Sequence, residues 1–202
     1  MKPDIIFDLG KVLVDFDWSI AAKKIAARST APPEKFHQHL ATSELLWQYE
    51  CGQISRQKFF ETISGVIGFQ GSHDEFNGYF AAIFTEMPGT IALHEELRQR
   101  GFRTFILSNT NDLAIEHVRR NFPFFAGFDG YIFSYEVGAL KPQPEIYAAM
   151  EKLTGRRGGD LVYLDDRVEN IAAGAARGWR AILHESPETT RAALMASGLV
   201  TP

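Results

Sequence analysis

The hydrophobic pattern of this chain changes character twice. Ile5-Ile6-Phe7 is a short apolar run that ends on Asp8 and breaks at Gly10, which predicts a buried strand with a carboxylate at its C-terminal edge. From about Trp18 to Phe84 strand character is lost and apolar residues take helical spacing, in Phe36 and Leu40 and then in Leu45, Leu46 and Tyr49. Pro32-Pro33 and Gly52 punctuate this stretch. Ser55 to Gly65 predicts a helix opened by a serine cap, and Ser72 to Thr85 another that is rich in aromatic residues. From Met87 the pattern alternates. Helices are expected over Thr90 to Arg100, Asp112 to Asn121, Pro144 to Leu153 and Val168 to Arg177, and strands over Phe102 to Leu107, Tyr131 to Ser134, Leu161 to Leu164 and Ala181 to His184. Such alternation predicts right-handed βαβ crossovers, hence an α/β fold with a parallel sheet covered by helices on both faces. The expected division is a core of residues 1–17 and 86–202 and an inserted helical cap of residues 18–85, joined by linkers near Asp15 and Met87. There is no internal repeat or low-complexity segment.

The distinctive polar residues fall at the ends of predicted strands: Asp8, Ser108-Asn109, Lys141 in the loop Gly138 to Pro142, and the pair Asp165-Asp166. In open α/β sheets ligands bind at that edge. Each residue has an ordinary reading. Asp8 before Leu9-Gly10 suits a turn, Ser108-Asn109 suits a helix cap, and Lys141 suits a loop. Taken together they form one set. Phosphoryl transfer to a carboxylate needs a nucleophile, donors for the phosphoryl oxygens, a fixed cation and Mg²⁺ to mask repulsion between anions. Asp8 is the expected nucleophile, Ser108 and Asn109 the donors, and Lys141 the cation that pairs with both Asp8 and the phosphate. Asp8, the carbonyl of Gly10 and Asp166 are the expected Mg²⁺ ligands, because that ion takes a few hard oxygens and keeps its waters. Asp165 is expected behind them, orienting Lys141 or a metal-bound water.

Composition narrows the classes. With 202 residues, 45% of them hydrophobic, the chain can bury one good core and a smaller accessory unit. A net charge of −4 and scattered Lys and Arg argue against a nucleic-acid partner. No apolar stretch approaches the roughly 20 residues of a membrane span. The single cysteine, Cys51, allows no internal disulfide. With no signal peptide read ahead of the first strand, a cytoplasmic enzyme acting on a small phosphorylated metabolite, as a monomer or homodimer, is the expectation.

The motifs Phe7-Asp8-Leu9-Gly10-Lys11-Val12 with Asp15 and Asp17, Ser108-Asn109-Thr110-Asn111, Lys141-Pro142-Gln143-Pro144-Glu145-Ile146-Tyr147, and Asp165-Asp166 with Asn170 occur in this order across nearly the whole chain. The sequence thereby resembles the haloacid dehalogenase superfamily of phosphatases. Within it, the chain looks like the bacterial α-D-glucose-1-phosphate phosphatase group, related to the N-terminal phosphatase domain of epoxide hydrolases. The resemblance implies a Rossmann-like core, a helical cap, Mg²⁺ and an aspartyl-phosphate intermediate on Asp8. One position departs from the superfamily pattern: the general acid expected two residues after the nucleophile is replaced by Gly10. General acid catalysis contributes roughly 10²–10⁴-fold, so its loss favours substrates with better leaving groups, such as sugar 1-phosphates. Asp15, Asp17 or a metal-bound water are the available substitutes. Glu50-Cys51-Gly52-Gln53-Ile54 reads as a turn between cap helices that could reach the cleft, without singling out a contact residue, whereas Trp47 and Tyr49 read as core and His37 and His39 as surface. Two other functions use the same residues: a hydrolytic 2-haloacid dehalogenase working through Asp8 without Mg²⁺, and a phosphate-binding regulatory protein that has lost turnover.

Overall fold

The structure is a computed structural model that describes residues 2–32, 34–36 and 44–200. Strand β1 (Asp4–Phe7) is buried along its whole length, as a central strand covered on both faces must be. It pairs in parallel with β4 (Thr104–Ser108) on one side and β6 (Leu161–Asp165) on the other, and β5 (Gly130–Phe133) and β7 (Arg180–Leu183) complete a five-stranded parallel sheet in the order β5-β4-β1-β6-β7. The chain order therefore reverses at β1, so the crevice at its C-terminal end is the switch point at which such sheets bind ligands.

Side chains alternate across the sheet. Ile5 and Phe7 face one apolar cluster with Ile106, Val162 and Leu164, closed by helices α5 (Pro88–Gln99), α6 (Asp112–Asn121) and α10 (Pro187–Ala196) through Leu97, Ile115 and Leu194. Ile6, Phe105, Leu107 and Tyr163 face the other, closed by α8 (Pro144–Thr154) through Ile146, Tyr147 and Met150, with Trp179 beside them. Helices α7 (Ser134–Val137) and α9 (Val168–Ala176) complete the set after β5 and β6. Register places Phe7 opposite both Ile106 and Leu164. The residues that follow, Asp8, Ser108 and Asp165, consequently emerge along one edge.

Between β1 and α5 lie helices α1 (Trp18–Ala26), α2 (Glu44–Glu50), α3 (Arg56–Ile67) and α4 (His73–Ala81), which share a separate apolar cluster built on Ile25, Phe36, Tyr49, Phe59, Phe76 and Phe80. Ser55 and Ser72 cap α3 and α4 by accepting hydrogen bonds from Lys58 N–H and Glu75 N–H. Three expectations are corrected here. The helix expected over Ser72 to Thr85 stops at Ala81, because the aromatic and β-branched run Phe84-Thr85 pairs instead with the chain leaving β1. Strands β2 (Val14–Phe16) and β3 (Phe84–Glu86) form an antiparallel ribbon, Val14 opposite Glu86 and Phe16 opposite Phe84, where two plain linkers were expected. Trp47, read as core, is 41% exposed; it lies on a helical face that meets neither cluster. Tyr49 is buried as expected, and Leu40, His37 and His39 lie outside the described residues. Helix α10 was not anticipated, although Ser186-Pro187 is a helix-start signal and Ser186 forms a capping box with Thr189. Among the described residues, no helix is long and apolar enough to cross a membrane.

The helical cluster is tied to the sheet unit by polar bonds. Tyr49 Oη donates to Asp112 Oδ1 (2.5 Å) at the start of α6, and Arg56 donates to Asp112 Oδ2 (3.0 Å) and Glu116 (2.9 Å). Beyond α2 the chain turns at Gly52 with φ +66°, and a Cβ there would lie 2.2 Å from the Tyr135 carbonyl oxygen of α7. Only glycine accepts both the left-handed backbone and that approach. Gly52→Ala is expected to destabilise the protein by about 2 kcal/mol or more. Urea unfolding measures it, and a midpoint equal to that of the wild type would show that this turn does not hold the helices against the sheet.

Candidate active site

Each sequence-selected residue reaches the edge described above by a local route. The backbone N–H of Asp8 bonds to the Leu164 carbonyl (2.8 Å), extending the β1–β6 ladder by one residue, and its Oδ1 accepts from Leu9 N–H (2.7 Å). Lys141 enters from the loop after α7. Its backbone is clamped by Asn109, whose Oδ1 accepts from Lys141 N–H (2.7 Å) and whose Nδ2 donates to the Lys141 carbonyl (3.0 Å). The loop after β4 is held in turn by Ser134, which accepts from Thr110 N–H (2.9 Å) and donates to the Thr110 carbonyl (3.0 Å). Ser108-Asn109 is not the helix cap: Asn111 takes that role, accepting from Ala114 N–H (2.9 Å). Ser108 and Asn109 both line the cavity above the sheet edge, Ser108 buried and Asn109 half-buried with its amide engaged to Lys141.

The centre of the site is a buried ion triad. Lys141 Nζ lies 2.7 Å from Asp8 Oδ1 and 2.7 Å from Asp165 Oδ2, with all three residues under a tenth exposed. Asp165 is saturated: Oδ2 also accepts from Tyr163 Oη (2.5 Å), and Oδ1 accepts from Arg167 N–H (2.9 Å) and Asn170 Nδ2 (2.9 Å). Sequence reasoning missed Tyr163 as a partner, although residues two apart on a strand share a face. Asn170 was noted with no contact assigned. The substitutes considered for the missing acid lie elsewhere. Asp15 is exposed and paired with Lys11, and Asp17 is exposed and caps α1 through Ser19 N–H.

Carboxylate oxygens of Asp8, Asp165 and Asp166 lie within 4.8 Å of one another. Asp165 is spent on its four donors. Asp8 Oδ2 and the half-buried Asp166 carboxylate, by contrast, make no hydrogen bond to another residue among the described residues. Two unspent hard oxygens beside an excess of negative charge fit a small divalent cation. The chain also matches the haloacid dehalogenase-like hydrolase family over residues 5–178. It belongs to that family.

Among its relatives, the hydrolase is 25% identical over 196 residues to the D-ribitol-5-phosphate phosphatase of Bacteroides thetaiotaomicron, covering 92% of this chain and 93% of the relative. It is 25% identical over 181 residues to the sesquiterpene phosphatase astK of Aspergillus oryzae, covering 86% of this chain and 85% of that one. In structure it resembles a family enzyme from Bacteroides thetaiotaomicron solved in complex with magnesium and inorganic phosphate, with a TM-score of 0.78 at 24% identity, over 91% of this chain and 94% of that one.

The electrostatics of the hydrolase follow from burial and one cation shared between two carboxylates. Burial raises the Asp8 carboxyl above its ordinary range; Lys141 opposes the rise and Asp165 adds to it. Burial acts on Asp165 too, but Lys141 and the Tyr163 and Arg167 donors outweigh it and hold that group low. For Lys141, the two carboxylates outweigh burial and keep the ammonium protonated. Burial and then Asp165 raise Asp166. Asp165 is thus the fixed anion, and Asp8 the carboxylate with reactivity in reserve.

Lys141→Met leaves two buried carboxylates with no cation between them, a change expected to cost about 3–5 kcal/mol in the metal-free protein near neutral pH. Since Lys141 holds Asp165 low, its stabilisation is present above the ordinary carboxylate range and is lost as pH falls below that range, through the lowered Asp165 titration. The deficit should therefore shrink in acid, where the variant's carboxyls take up protons. Urea midpoints of variant and wild type across the acid-to-neutral range measure this; a deficit that is absent at neutral pH, or that grows in acid, contradicts the triad's role.

Proposed function

We propose that this hydrolase is a Mg²⁺-dependent phosphatase of small phosphorylated metabolites, working through an aspartyl-phosphate on Asp8. The observation that carries the reading is the placement of Asp8 between a buried ammonium, Lys141, and a second free carboxylate, Asp166. A carboxylate attacking a phosphate dianion meets like-charge repulsion unless cations sit at the point of approach. Lys141 supplies one fixed charge, and Mg²⁺, held by Asp8 and Asp166 with the Gly10 carbonyl, would supply the rest by screening the phosphoryl oxygens. One carboxylate oxygen of Asp8 forms the bond to phosphorus as the bond to the leaving oxygen breaks, the other staying with the cations. Ser108 and the remaining Asn109 amide proton donate to the phosphoryl oxygens, and water then attacks the aspartyl-phosphate, releasing inorganic phosphate and restoring Asp8. Asp165 keeps Lys141 protonated and aimed. The dissection into a core of residues 1–17 and 86–202 and a cap of 18–85 belongs to the same reading, with the cap closing over the leaving group.

For the substrate we favour a sugar phosphate such as glucose 1-phosphate, in line with the glucose-1-phosphate phosphatase group. An anomeric hydroxyl is more acidic than an ordinary alcohol and leaves more readily where position 10 offers no proton. The cavity beside Gly10, Ser108 and Asn109, about 150 Å³, has aromatic walls from Phe16, Trp18 and Phe84, which suit the C–H face of a ring or carbon chain. The two named relatives act on a polyol phosphate and a terpenoid, consistent with common phosphate chemistry and a variable leaving group.

The test is phosphate release from a panel of sugar phosphates, nucleotides and p-nitrophenyl phosphate, with and without Mg²⁺. Turnover should require the metal and fall by about 10³-fold or more in Asp8→Asn. Retention of turnover in Asp8→Asn would refute the nucleophile. Halide release from a 2-haloacid without Mg²⁺, and no phosphate release, would return the reading to a dehalogenase; Mg²⁺ and phosphate binding without any turnover would favour a regulatory protein.

A further inference from the structure

The cavity at the strand-end loops is bounded on the sheet side by Leu9 and Gly10, the two residues after Asp8, with Ser108 and Asn109, and on the helical side by Leu46 and Glu50 of α2. Among the described residues lining it, Glu50 is the one carboxylic acid. Its half-buried side chain makes no hydrogen bond or ion pair to any described residue, which leaves the carboxyl free to face the cavity. No cation or second carboxylate shifts it; burial alone pushes it up to about 7, and the titratable neighbour that feels it is the Cys51 thiol. A substantial protonated share at neutral pH is what an effective proton donor needs.

The position of Glu50 is fixed on three sides. The preceding Tyr49 is bonded to Asp112, next to the Asn111 cap of α6 and three residues past Asn109. Cys51 is buried, and Gly52 lies against the Tyr135 backbone. The end of α2 is therefore registered against the same loop that carries Ser108 and Asn109. The strand-end side offers no competing acid. A Cβ at Gly10 would lie 3.1 Å from the Phe16 ring, so an aromatic side chain occupies the space an acid there would use. Asp15 and Asp17 are exposed and engaged, as described.

The geometry points to Glu50 as the proton donor to the leaving group, a carboxyl delivered from α2 in place of one at position 10. This assignment rests on the phosphatase reading above. As the Asp8 carboxylate bonds to phosphorus and the ester P–O bond breaks, the Glu50 carboxyl passes its proton to the leaving oxygen and becomes a carboxylate. In the second step it takes a proton from the attacking water, which cleaves the aspartyl-phosphate to free Asp8 and inorganic phosphate, and the carboxyl is regenerated. With such a donor the enzyme's range extends beyond anomeric phosphates to phosphates of ordinary alcohols, whose alkoxides leave poorly without a proton.

Glu50→Gln keeps the shape and removes the transferable proton. The test compares kcat/KM of wild type, Glu50→Gln and Glu50→Asp on two Mg²⁺-loaded reactions: p-nitrophenyl phosphate, whose phenolate leaves unaided, and a polyol or alkyl phosphate, whose alkoxide does not. The expected result is a loss of about 10²–10⁴-fold on the alkyl ester in Glu50→Gln, a far smaller loss on the nitrophenyl ester, and partial recovery in Glu50→Asp, with thermal unfolding of Glu50→Gln no lower than wild type. Equal losses on both esters would assign Glu50 to binding or folding and overturn the proposal, as would no loss on either. Failure of the wild type itself to release phosphate from p-nitrophenyl phosphate would instead remove the phosphatase reading on which the proposal stands, so the two failures are told apart.

Discussion

A buried ammonium held between two carboxylates sets the terms for the rest of the molecule. Lys141 sits 2.7 Å from both Asp8 and Asp165, and removing three charges from water is tolerable only when geometry and hydrogen bonds repay the lost hydration. The surrounding chain supplies that geometry from four directions. Asn109 clamps the Lys141 backbone, Tyr163 and Asn170 bond Asp165, the β1–β6 ladder continues through Asp8 N–H, and Ser134 locks the loop beside Asn109. Parallel strands brought side by side by crossovers put these chain-distant residues on one edge. The fold's topology and the site's electrostatics are thus one constraint seen at two scales.

The triad is also unbalanced. Of its two carboxylates only Asp165 has both oxygens filled by donors, while, among the described residues, Asp8 Oδ2 has no hydrogen-bond partner and nearby Asp166 bonds to no other residue. A purely structural ion cluster would be expected to pair these groups, since an unsatisfied buried carboxylate is costly. Leaving them open makes sense where a cation and a substrate complete the set. The asymmetry distinguishes neighbouring residues of the same chemistry and fits the proposed division of labour, in which the saturated Asp165 would orient and the unsaturated Asp8 would react.

Much of this was legible in the sequence, for a physical reason. Strand ends in a parallel sheet are marked by an abrupt switch from apolar to polar residues, so Asp8, Ser108 and Asp165 announce both a strand boundary and a site. Lys141, in a loop with no strand of its own, joined them only through the chemistry they lacked. What escaped was set by tertiary pairing. The β2–β3 ribbon joins residues about 70 apart, and nothing local in Phe84-Thr85-Glu86 distinguishes a paired strand from the last turn of a helix. The Trp47 error has the same origin: helical spacing says which residues share a face, not which face finds a partner. The Asn111 cap was hidden for another reason, because four consecutive residues, Ser108-Asn109-Thr110-Asn111, are all competent caps and only the direction of the chain selects one.

Placing a proton donor on α2 instead of the strand-end loop has a consequence for how catalysis is controlled. A donor two residues beyond the nucleophile is present whenever the sheet is folded. Glu50 is present at the cleft only while α2 is docked, and that docking runs through Tyr49, Arg56 and Asp112, polar contacts that are partly exposed and individually weak. The apolar contribution across the same boundary includes Leu113 of α6, which joins the helical cluster, and Phe84, which packs against both clusters. An association of this kind opens more readily than the sheet itself. On the proposed reading, a docked α2 would shield the cavity with the acid in place, and a lifted α2 would release product and admit water while carrying the proton donor away. The same movement that admits substrate would therefore disarm the step that expels an alkoxide, confining the difficult chemistry to the closed, desolvated state.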